Sequence, residues 1–117
     1  MITPSGEFKG WKDMTPAERK RDQLRHFPTL LARWAGGRAS IWELTVSLKT
    51  LTVRVERSGI QGNLDVHCIG PSHIHGPVFW DNCEITVSLA ADDTFIVLDV
   101  RAGLEIRTAS VEVTEHC

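Results

Sequence analysis

A chain of 117 residues and 13.1 kDa has the length of one domain and is too short for two independent cores. Hydrophobic residues at 42% and charged residues at 24% give a globular balance that excludes a disordered or fibrous chain. Residues 1–57 hold 11 Lys/Arg against 6 Asp/Glu and residues 58–117 hold 2 against 9, so the two halves either present a dipole to a charged partner or attract one another across the fold.

Apolar runs are short, as in Phe95–Leu98, so no membrane-spanning segment is expected. The N-terminus lacks the basic stretch and apolar run of a secretory leader. Cysteines are three (Cys68, Cys83 and Cys117), an odd number with no CxxC pair. That count suits a reduced, cytoplasmic protein, and it leaves a Cys68–Cys83 bridge across a hairpin open.

Residues 1–13 contain Pro4, Gly6 and Gly10 and read as an irregular lead-in, with Phe8 and Trp11 as anchors to the body. Residues 14–37 read as helical. Thr15 can cap, Pro16 suits the first helical position, and Glu18 can return a bond to the cap nitrogen. Leu24, Phe27, Leu31 and Trp34 form one apolar stripe, with Lys20, Arg21, Arg25 and Arg33 largely off it. Pro28 interrupts the stripe. The helix either kinks there, or ends near His26 and restarts at Pro28. Gly36-Gly37 is the stop.

Residues 40–115 carry a period of two. Trp42, Leu44, Val46 and Leu48 share one parity, and Leu51, Val53 and Val55 share the other, which calls for a bulge or tight turn near Lys49-Thr50. Leu64, Val66 and Cys68 alternate next, followed by Phe79, Cys83, Ile85, Val87 and Leu89. Phe95–Val100 is apolar on both faces, as a covered central strand would be. Parity changes again across Thr108-Ala109-Ser110. The reading is a single α+β domain over 1–117: a kinked N-terminal helix packed on a mostly antiparallel sheet of about six strands.

The segment Gly70-Pro71-Ser72-His73-Ile74-His75-Gly76-Pro77 reads as a stiff loop, since each proline restrains itself and the glycine before it. In extended chain His73 and His75 point the same way. They therefore suit either a contact surface or a divalent metal such as zinc, with Glu84 or Asp81 as the carboxylate. A lone His-x-His falls short of a zinc signature, which needs three or four ligands at set spacing. Cys83 shares the parity of Ile85 and Val87, which suits a buried, inert thiol better than a nucleophile. No G-x-S-x-G elbow, phosphate loop, G-x-G-x-x-G or H-E-x-x-H is present. If Phe79 and Cys83 face the core, Trp80 points outward as a contact residue. The reverse arrangement packs Trp80 beneath the helix and turns Phe79 out.

The function expected is a small non-catalytic protein-binding domain, of immunity, adaptor or regulatory type, which needs no cofactor and uses His73, His75, Trp80 and Asp81. A metal-dependent enzyme with His73, His75 and Glu84 as ligands is the alternative. Nucleic-acid binding through Arg19, Lys20, Arg21 and Arg25 is a third reading. The acidic second half and the lack of an RNA-binding aromatic signature count against it. An unpaired edge strand would suit a homodimer.

Overall fold

The computed structural model describes residues 15–45 and 49–116. The expected lead-in with Phe8 and Trp11 lies outside the described residues, as do Val46, Leu48 and Cys117. Helix α1 spans Pro16–Leu24 and begins with the expected capping box: the Thr15 side chain accepts from the Glu18 amide, and Glu18 Oε1 accepts from the Thr15 amide. Pro28 ends the continuity. Helix α2 spans Phe27–Trp34 with that proline in its first turn, and Arg25 and His26 form the break. Phe27, Leu31 and Trp34 are buried, so the apolar stripe runs across the kink.

Seven strands follow: β1 (Arg38–Thr45), β2 (Thr50–Glu56), β3 (Asn63–His75), β4 (Phe79–Trp80), β5 (Thr86–Leu89), β6 (Phe95–Asp99) and β7 (Leu104–His116). They form one antiparallel sheet in the order β4-β1-β2-β3-β7-β6-β5. The fold is α+β as the periodicity predicts, and the two-residue β4 takes the strand count past six. β1 and β2 pair up to Thr45 and Thr50, and Lys49, just before Thr50, lies in a turn at φ 52°, near the position where the parity change is expected; residues 46–48 lie outside the described residues.

One face of the sheet carries Leu51, Val53, Val55, Leu64, Val66, Cys68 and Val111, all at most 1% exposed. These join Phe27, Leu31 and Trp34 of the helices in one core, where Phe27 meets Phe95 with ring centroids 6.4 Å apart. Each such side chain contributes about 1.5–3 kcal/mol on full burial. Trp34 also donates from Nε1 to Glu115 Oε2 at 2.7 Å, fixing α2 to the C-terminal strand.

The parity change at Thr108–Ser110 has a counterpart across the ladder. β3 shifts register between Pro71 and His73, and Gly70 takes φ 72°. The Thr108 hydroxyl donates to the Ile69 carbonyl at 2.8 Å beside that irregularity. Both long strands bend there, so the sheet curls. As a result β4, at one end of the strand order, reaches β6 near the other: Trp80 Nε1 donates to Asp99 Oδ2 at 2.7 Å, and the Glu84 amide donates to the same oxygen at 2.8 Å. β6 itself is second from the edge rather than central, with Phe95, Val97 and Asp99 inward and Ile96 and Leu98 half-buried.

Candidate functional site

The histidine pair lies within β3 rather than on a loop, because the irregularity after Pro71 lets the strand absorb a residue that has no N–H to give. His73 pairs across the ladder with Arg107 and His75 with Glu105. Both imidazoles are exposed, and His73 Nε2 stands 3.9 Å from Glu105 Oε2. The Arg107 hydrogen bond, ahead of its charge and those of the two histidines, holds the Glu105 carboxyl below its ordinary range. Glu84 is exposed on the segment before β5 and does not join His73 and His75 in a group of ligands. Asp81 is exposed and accepts from Arg38 Nε at 2.9 Å.

Of the two arrangements open for the Phe79-Trp80 pair, the structure takes the second. Trp80 is 8% exposed and bonded to Asp99, while Phe79 is 60% exposed. The pull on Trp80 is its indole N–H, which finds a buried carboxylate acceptor that phenylalanine could not use.

Turning Phe79 outward places it on the sheet face opposite the core. Register carries one row across five strands there, from Phe79 through Ser40, Arg54 and Asp65 to Thr114. Trp42 occupies the register shift between Ile41 and Glu43 and is 59% exposed. Arg54 stacks on Trp42, its guanidinium carbon 4.2 Å from the ring centroid, and Arg38 lies over Phe79 at 5.8 Å. Val78, which accepts from the Ile41 amide and shares the parity of inward Trp80, is 71% exposed, and Leu44, paired with inward Leu51, is 52% exposed at the edge of the core-side face. Among the described residues no strand pairs with the outer side of β1 beyond Ile41.

Behind Trp42 the same face holds a polar cluster. Asp65 is 4% exposed, and both its oxygens are engaged. Oδ1 accepts from Arg54 Nε and Asn63 Nδ2, each at 2.9 Å. Oδ2 accepts from the second Arg54 nitrogen at 3.1 Å and faces His116 Nε2 at 3.2 Å. Burial alone would raise the Asp65 pKa. The Arg54 hydrogen bonds and charge, with His116 and His67, outweigh it and hold the carboxyl below its ordinary value. The Asp65 hydrogen bond likewise raises Arg54. His67 Nδ1 meets the buried Thr52 hydroxyl at 2.9 Å. Asp65, His67 and His116 bring one ligand-type atom each within 4.8 Å of one another, the one such group among the described residues.

The other chemical possibilities thin out. Cys68 and Cys83 are free, buried thiols rather than a bridge. Burial pushes Cys68 up to about 12 and raises Cys83, which makes poor nucleophiles of both. A cavity of about 300 Å³ between α2 and β5 is walled by Pro28, Leu31, Ala32, Ile85 and Val87, with Glu84 as its single titratable residue. On α1, Lys20 Nζ donates to the Asp93 carbonyl at 2.6 Å and sits over the Phe95 ring, which draws it away from phosphate.

Comparison of the chain with protein-family models, with curated proteins and with solved structures finds no match. No helix among the described residues is long and apolar enough to cross a membrane. Sequence reading missed Trp42, Arg54, Asp65 and His116 as a group. The available signal was charge and histidine at positions of the second parity, Arg54 between Val53 and Val55 and Asp65 between Leu64 and Val66.

Proposed function

We propose that the protein is a small non-catalytic protein-binding domain of the cytoplasm, of immunity, adaptor or regulatory type. Its contact surface is the outer sheet face beside the open edge of β1. One observation carries this reading: Trp42 and Phe79 lie exposed on neighbouring strands of one face, each with a guanidinium already stacked against it. Tryptophan and arginine dominate the energetics of protein contacts, and a pre-stacked arginine has little freedom left to lose on binding. The Arg38–Asp81 pair supplies a polar rim. The Gly76-Pro77 segment leads from β3 into Val78 and Phe79, and its proline restrains the backbone there.

The experiment is retention from a nuclease-treated extract of the source cells on immobilised protein, with the retained partner then purified and its affinity measured. Wild type should hold a protein partner at fixed stoichiometry. Trp42→Ala/Phe79→Ala should weaken it by roughly 30-fold or more, the loss expected at a hot spot. Circular dichroism and melting should be unchanged, because both rings are surface residues. A double variant that binds as well as wild type, or a wild type that retains no protein, overturns the reading.

A further inference from the structure

We propose that Asp65, His67 and His116 bind a divalent transition-metal ion of the zinc type, which ties the C-terminal end of β7 to β3. Two imidazoles and one carboxylate are the donor set that zinc and its neighbours favour and that magnesium and calcium do not. The three residues come together through strand geometry. Asp65 and His67 are two apart on β3 and share its outer face. His116 lies on the adjoining strand, opposite Asn63.

The distances suit a shared ion. Bonds of about 2.0–2.1 Å in a tetrahedron put neighbouring ligand atoms roughly 3.3 Å apart. Asp65 Oδ2 and His116 Nε2 stand 3.2 Å apart, and all three donor atoms fall within 4.8 Å. His116 is half-exposed at the end of its strand, so a small side-chain rotation closes the remaining gap.

Arg54 does not have to leave. An ionised carboxylate offers about four acceptor positions. Two hold the Arg54 fork and one holds Asn63. The fourth faces His116, and the metal takes that one. On the other ligand, the Thr52 hydroxyl can accept a hydrogen bond from His67 Nδ1–H and so leave Nε2 as the basic nitrogen, an outer support of the kind metal-bound histidines use. The Arg54 charge offsets that of Asp65, so affinity should be moderate and should fall when the histidines are protonated. Water completes the coordination on the exposed side.

Untagged protein stripped with a chelator and titrated with Zn2+ by calorimetry, and with Co2+ by absorption, tests the site. Wild type should bind one ion, with Co2+ ligand-field bands and no thiolate charge-transfer band. His67→Ala and His116→Ala should each weaken Zn2+ binding at least tenfold. His73→Ala/His75→Ala should leave it unchanged. Zn2+ should raise the melting temperature of wild type and not that of His116→Ala, a variant at an exposed strand end that keeps the fold. No saturable binding, a thiolate band, or binding lost with His73 and His75 but kept without His67 and His116 overturns the proposal.

Discussion

Arg54 serves two neighbours at once: its plane covers Trp42, and its fork holds a carboxylate that is almost wholly out of water. Removing one partner of such a pair leaves the other charge uncompensated, which typically costs 3–5 kcal/mol. Arg54→Met, which keeps the stem, should therefore lower unfolding free energy by about 3 kcal/mol in urea titration, because Arg54 itself is a quarter exposed. The pH dependence has a fixed sign. Asp65 ionises more readily folded than unfolded, so its contribution is whole above about pH 4 and drains away as pH falls through the lower folded value. Chelator-treated wild type should lose stability in acid over that range, and Asp65→Asn should show a flatter acid limb. Spacing put Arg54 and Asp65 on the parity opposite the core, but it did not join them into a cluster. Asp65 stands between inward Leu64 and Val66 and so reads as a solvated charge. It is dry because residues distant in the chain, Arg54 and His116, meet it through register, which no local pattern encodes.

The helical stretch shows how far local chemistry reaches. The cap at Thr15, the break forced by Pro28 and the stripe from Leu24 to Trp34 are all short-range effects, and each is present as read. The strand rhythm was equally plain, and the parity changes marked where the ladder must bend. What alternation could not decide was the direction of a two-residue strand next to a turn. Trp80, Cys83 and Ile85 all face inward, because the bend at Asp81-Asn82, with Asn82 at φ 53°, breaks the parity between them and Trp80 finds Asp99 as its acceptor. Trp80→Phe should thus cost about 1 kcal/mol while preserving ring packing, because the buried Asp99 oxygen loses one of its two donors and keeps the Glu84 amide, as read by thermal or urea denaturation. Gly37 is fixed by its neighbours too. A Cβ on it would collide with the Glu56 carbonyl oxygen, while Gly37 also accepts from the Cys83 amide. Gly37→Ala should disturb the start of β1 and lower the melting temperature by several degrees.

Across the whole molecule, the charge asymmetry resolves into attraction between the halves. Arg33 with Glu115, Arg38 with Asp81 and Arg54 with Asp65 each join the basic first half to the acidic second. The exposed pairs should matter little, so moderate salt should scarcely change the melting temperature. The curl of the sheet has the wider consequence. Backbone ladders run unbroken from β4 to β5 in strand order, yet where β4 comes round to β6 the closure rests on an indole and an amide that share one carboxylate. That junction is a zip fastened by two teeth. Deuterium uptake under native conditions should begin there, with amides of β4 and β5 exchanging well before those where β3 meets β7. A partner seated across Phe79 would press on the flap of the zip, so its arrival should be felt as slowed exchange at Glu84, on the far side of the fastening.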